Sequence, residues 1–199
     1  MQYIVNVILT VLLSLSMNSS VVDIVSTTPQ EEAVDLMKAL ESQKTEVFEL
    51  YADNEYVNFL NNVQTDERMS SVYDYMFENF SYEVIKTETK NDVAVVKITV
   101  KTNDFSKVDD AYEDAAYKYI MDNLGTDKVS DTEKLNAKCV ELYVKQFEKA
   151  AKGEADKETT AFVTMISDRH HGWNVILTDE LMKAVLGDVD LPVKQKADK

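Results

Sequence analysis

Apolar and polar positions change their period several times along this chain, and each change marks an element. The plainest case is the run 159–177. Phe162, Thr164 and Ile166 alternate with Ala161, Val163 and Met165. The polar group Asp168-Arg169-His170-His171-Gly172 then interrupts, and Trp173-Asn174-Val175-Ile176-Leu177 follows. Period-two alternation beside a short polar turn predicts a β-hairpin with both arms buried on at least one face. A second hairpin is expected earlier, with strands over 81–89 and 93–102 joined by Lys90-Asn91-Asp92. In its second strand Ala94, Val96, Ile98 and Val100 point one way, and Lys97, Thr99 and Lys101 the other. That pattern predicts an antiparallel sheet, wet on part of one face. The inward positions are expected to be Ala94, Val96, Ile98, Val100, Phe162 and Ile166.

Helical spacing fills the rest. Thr28-Pro29-Gln30-Glu31 combines a capping box with proline at the first helical position. Ala33, Val34, Met37, Leu40, Val47, Phe48 and Tyr51 continue from it, and a short apolar piece holds Tyr56, Val57, Phe59 and Leu60. A further helix is expected from near Asp66, with Met69, Val72, Tyr73, Met76, Phe77 and Phe80 on one face. Two helices separate the hairpins. Asp104 is expected to cap the first, which stops near Gly125, and Ser130-Asp131-Thr132-Glu133 reads as a capping box for the second, which ends at Gly153. Thr178 caps a short helix closed by Gly187. The order is α+β, with helices stacked on an antiparallel sheet.

The first residues change the picture of location. Between Tyr3 and Met17 there is no charge, and Asp23 is the first charged side chain. The run is short for a spanning helix and fits the core of a secretory signal, with Ser14 and Ser16 as small residues for cleavage. No Lys or Arg precedes it, so an uncleaved anchor through residues 3–17 is the other reading. The expected organisation is an export signal or anchor with linker over 1–28, one domain over 29–187, and a charged tail over 188–199. The protein is therefore expected to be secreted or at the cell surface, meeting a membrane only through an uncleaved leader.

Charge and residue chemistry exclude more than they assign. A formal net charge of −15 repels nucleic-acid phosphates, so no nucleic-acid partner is expected. Cys139 is the only cysteine, which excludes an internal disulfide, and its helical spacing makes it a small packing residue. His170 and His171 are the only histidines. As neighbours on extended chain they point to opposite sides, so they do not share an ion, and no metal site is expected. Four glycines leave no phosphate-cradling loop, and dinucleotide and nucleophile-elbow patterns are absent, so no cofactor is expected. Asn18-Ser19-Ser20 and Asn79-Phe80-Ser81 match the glycosylation acceptor pattern.

The element order, with "SYEVIKTETKNDVAVVKITVKTNDF" and "ETTAFVTMISDRHHGWNVILTDEL", resembles the nuclear transport factor 2-like (cystatin-like) superfamily. Within it the likeness is to small exported bacterial proteins of unknown function, often lipoproteins, whose last long strand reads Gly-Trp and then alternating apolar residues. Gly172, Trp173, Val175 and Leu177 match that pattern over a likeness spanning 29–187. No cysteine follows the leader, which departs from the lipoproteins. The resemblance implies a cone-like antiparallel sheet packed against N-terminal helices, with a two-helix insertion between the hairpins. It also implies a pocket, used by some members for isomerase or dehydratase chemistry with an Asp or His base, and a homodimer through the open sheet face. No catalytic residue carries over, because the expected inward positions hold no carboxylate or histidine. The reading is a non-catalytic exported domain for a protein or a small hydrophobic ligand, with an enzyme of the isomerase or dehydratase type as alternative. If a ligand enters the cone, Tyr82, Phe162 and Trp173 are its candidate contacts.

Overall fold

A computed structural model describes residues 27–168 and 172–191. The leader, the first acceptor sequence at Asn18, the turn residues His170 and His171, and the tail beyond Leu191 lie outside the described residues.

The chain runs α1 (Pro29–Glu41), α2 (Thr45–Leu50), α3 (Glu55–Thr65), α4 (Ser70–Phe77), β1 (Ser81–Lys90) and β2 (Val93–Thr102). It continues with α5 (Val108–Asp122), α6 (Asp127–Ser130), α7 (Thr132–Ala150), β3 (Lys157–Asp168), β4 (Gly172–Ile176) and α8 (Asp179–Val185). The fold is α+β: an open four-stranded antiparallel sheet in the order β1-β2-β3-β4, with helices on one face and an inserted helical hairpin between its two β-hairpins.

Local chemistry explains most boundaries. Thr28 caps α1 through a complete capping box with Glu31, and Pro29 opens the helix. The helix does not continue to Tyr51, because Gln43 adopts φ 57° and breaks the chain into α1 and α2. The apolar piece after Asn54 is a full helix, α3, whose first amides Tyr56 and Val57 donate to the Asn54 side chain. α4 starts at Ser70, later than the spacing suggests, because the Asp66 carboxylate accepts from the Arg68 amide and guanidinium and holds a turn there. Asp104 does not cap α5: its carboxylate accepts instead from the Ser106 amide and from Lys157, and α5 has no side-chain cap. In α7 the cap is Asp131, one residue later than the expected Ser130.

The helix-covered face of the sheet is the core. Ala94, Val96, Ile98 and Val100 of β2 and Ala161, Val163 and Met165 of β3 are each at most 5% exposed. α1 packs on β1, β2 and β4, and α8 packs on β2 and β3. Phe162 and Ile166 are not inward. They are 53% and 47% exposed and point to the opposite, uncovered face. The reason is register: Phe162 pairs with Lys97 and Val163 with Val96, and cross-strand partners share a face. A bulge at Ile85, between Val84 and Lys86, keeps β1 in step with β2 on both sides of it and bends the edge strand.

Two joints fix the insertion. Phe147 of α7 is fully buried against Phe105, centroids 5.4 Å apart, and edge-on to Tyr143, which meets Tyr112 of α5. Burying one such ring contributes about 2–3 kcal/mol. Gly187, at φ 59°, accepts from the Phe105 amide at 2.8 Å, and a Cβ there would lie 2.0 Å from the Asn103 carbonyl oxygen. Asn79 of the second acceptor sequence spends its amide inside the fold, donating to Asn103 Oδ1 and to the Ala151 and Gly153 carbonyls.

Candidate functional site

The strands supply three places where chemistry could gather: the covered face, the β4 edge and the open face. On the covered face the inward residues of β2 and β3 are packed against Met37, Leu40, Leu60, Met76, Leu181 and Met182, all at most 1% exposed. Among the described residues this interior holds no carboxylate or histidine. Four surface depressions of about 370–600 Å³ lie elsewhere, and none is lined by a strand residue. An enclosed cleft in which a base could meet a substrate is thus not formed by these depressions.

The β4 edge carries a polar cluster with shifted titration. Thr27 donates its hydroxyl to Glu32, whose half-buried carboxyl is pushed up from its ordinary value by desolvation against the pull of that hydrogen bond. Tyr51 donates to the Val175 carbonyl at 3.4 Å, and burial, helped by the charge of Glu32, pushes its hydroxyl up to about 12. In both groups burial disfavours the charged form. The cluster ties the start of α1 to the last strand. Thr27 also lines one of the open depressions, and the hydrogen bonds of the cluster run between elements, so it reads as a joint.

The open face has a different character. Following the register, one row sets Lys90, Val93, Ile166 and Asn174 side by side. The next sets Glu88, Val95, Thr164 and Ile176, and a third sets Lys86, Lys97 and Phe162. Val93, Phe162, Ile166 and Ile176 are 42–53% exposed, so a contiguous apolar patch faces solvent across β2, β3 and β4. No described helix packs there. Scattered exposed apolar side chains need no explanation, but neighbouring ones on one sheet face do.

The sequence candidates fall apart on this geometry. Tyr82 pairs with Val100 on the covered face, where its hydroxyl donates to the Val34 carbonyl at 3.4 Å. Trp173 pairs with Ser167, on that same face but at the opposite edge, and packs on the core. Phe162 is on the open face. The three do not line one cavity. Val93 and Ile176 complete the patch around Phe162, and sequence reasoning passed over both. The signal was present in Lys97: a lysine cannot share a buried face with Ala94 and Val96, and the strand pairing puts Phe162 beside it.

Among the described residues no group of three or more His, Cys, Asp or Glu side chains is placed to hold a metal ion. Nor is any described helix long and apolar enough to cross a membrane. Cys139 sits half-buried between α5 and α7 beside Tyr112.

No family model matches the chain, and no curated protein does. Among solved structures it is similar to one described as "a putative lipoprotein (ycdA) from Bacillus subtilis subsp. subtilis str. 168". That alignment has 20% identity and a TM-score of 0.43, and covers 88% of this chain and 54% of the other. The chain thus spans about half the length of the structure it matches.

Proposed function

We propose that this protein is an exported, non-catalytic binding domain of the bacterial cell surface, and that it recognises a protein through the open face of its sheet. One observation carries the reading: the face of the sheet that would line a pocket is filled, while the other face presents a contiguous patch around Phe162 and Ile166. A buried interior serves stability, and a solvated apolar patch of this kind serves contact. The charge-free run over 3–17 supports export, and the acidic balance of −15 supports solubility outside the cell. The nuclear transport factor 2-like resemblance remains part of this proposal.

Binding of the apolar dye 8-anilinonaphthalene-1-sulfonate to the folded full chain tests the site. The expected result is weak, non-saturating fluorescence that falls when Phe162 is changed to Asp. Saturable one-to-one binding that is indifferent to Phe162→Asp would reveal an interior pocket and overturn the reading in favour of a small-molecule ligand. Sequencing the N-terminus of protein recovered from outside the cell tests export. Recovery only from the cytoplasm, with Met1 intact, would contradict it.

A further inference from the structure

The open sheet face has a counterpart elsewhere on the molecule. At the end of α5, Tyr117 and Met121 are 68% and 48% exposed, and Leu124, in the turn just after the helix, is 59% exposed. A spacing of four residues puts Tyr117 and Met121 on one face of the helix, and Leu124 follows three residues on, past its end. α5 packs chiefly on α7, and only Val108 at its base is buried, so this stripe faces away from the body. The two patches differ in the charges around them. Asp110, Glu113, Asp114 and Asp122 are exposed on the same helix with Lys118 as the one opposing charge, and none of the four makes an ion pair among the described residues. The sheet patch is bordered by Lys90, paired across the ladder with Val93, and Lys97, paired with Phe162, while Glu88 on the β1 edge is neutralised by its ion pair with Lys86. Neither Lys90 nor Lys97 makes an ion pair among the described residues.

Dimensions agree as well. The helical part of the stripe rises about 6 Å from Tyr117 to Met121 on a helix about 10 Å wide, and Leu124 extends it beyond the helix end. The patch runs about 13 Å from Phe162 to Ile166 across three strands, whose outer two are about 10 Å apart. On a chain carrying −15 overall, an acidic apolar ridge and a lysine-bordered apolar floor form a complementary pair. The ridge cannot seat on its own sheet while α5 is held against α7.

We infer that the occupant of the open sheet face is a second copy of this chain, which seats the Tyr117-Met121-Leu124 stripe of its α5 on the Phe162-Ile166 patch, flanked by Lys90 and Lys97. The inference deepens the proposed function, since it rests on that face being the binding surface. The contact is heterologous: each copy offers one ridge and one floor. Association therefore continues head to tail into a ring or an open chain and does not stop at a two-fold dimer.

Sedimentation equilibrium on the full chain, across a concentration series, tests this with two variants of equal urea midpoint. Phe162→Asp removes the floor and keeps the ridge; Tyr117→Asp does the reverse. The unaltered chain is expected to exceed twice the monomer mass of 22.6 kDa as concentration rises. Each variant alone should associate on the order of tenfold or more weakly. An equimolar mixture of the two should form a capped heterodimer that grows no further, because one intact ridge and one intact floor remain. Should either variant fold poorly, Ile166→Asn and Met121→Asn make the same pair of deletions more gently.

A chain that stays at monomer mass throughout overturns the inference while leaving the dye test of the open face intact. A dimer abolished by Phe162→Asp but unchanged by Tyr117→Asp overturns it in favour of a face-to-face pair. Association indifferent to both variants assigns it to the apolar leader and overturns it too, as does a mixture that fails to complement.

Discussion

The two faces of the one sheet are built from the same strands and meet opposite fates. On the covered face Val96, Ile98, Val163 and Met165 are wholly buried; on the open face Val93, Phe162, Ile166 and Ile176 keep 42–53% of their surface in water. Both sets are apolar, so hydrophobicity alone does not decide burial. What decides it is which face the helices cover, and that follows from α1 and α8 lying on the side of Ala94 and Met165. The lesson is that the covered face carries the stability of the fold, while the apolar surface left over on the other is available for contact.

The largest effect that would break this comparison is in the interior. Met165→Ala should cost about 2–5 kcal/mol, the range for emptying a packed core site, read as a shift in the urea midpoint. A loss below about 1 kcal/mol would mean the covered face is loosely packed and has room for a ligand. Next comes the joint under α8. Gly187→Ala puts a methyl group against the Asn103 carbonyl at a positive φ and should cost on the order of 3 kcal/mol. Unchanged stability there would show that α8 is not locked onto the β2 end.

A smaller effect appears at high pH. Tyr51 has its pKa raised by burial to about 12 in the folded chain, against an ordinary value of 10.0. Its contribution is fully present below pH 10 and is lost as pH rises from there through 12, because the unfolded chain ionises first. Tyr73 and Tyr143, also raised by burial, add to the same alkaline fall. Tyr51→Phe should flatten the decline of stability between these limits. A pH profile identical to that of the unaltered chain would place the Tyr51 hydroxyl in water and detach it from β4.

Much of this architecture was legible in the residues. The capping box at Thr28, the helix face from Val72 to Phe77 and the alternation in both hairpins follow from local chemistry and period, and the structure has each of them, although Phe80 lies past the end of that helix. The cap at Asp104 failed because its carboxylate had a better use, bridging to Lys157. The helix over 55–65 was legible too: Tyr56, Phe59, Leu60 and Val63 fall at i, i+3, i+4 and i+7, and Asn54 caps it, but the piece reads as short unless Val63 is counted. The inward face of β3 was misread for a deeper reason. A strand with apolar residues at both parities has no intrinsic inside, and only its pairing with the amphipathic β2 assigns one. The same ambiguity hid the candidate site: the patch exists because Phe162 and Ile166 are on the side that the pattern alone could not choose. The stripe on α5 escaped because helical spacing marks a face without saying whether anything covers it.

The most direct test of the two-face account is the urea unfolding midpoint of Phe162→Asp, followed by the fluorescence of Trp173. The account predicts a midpoint within about 0.5 kcal/mol of the unaltered chain, the usual range for a surface substitution. A loss as large as that of Met165→Ala would mean that Phe162 is enclosed in the folded protein, and the open face would no longer be a surface for anything to bind.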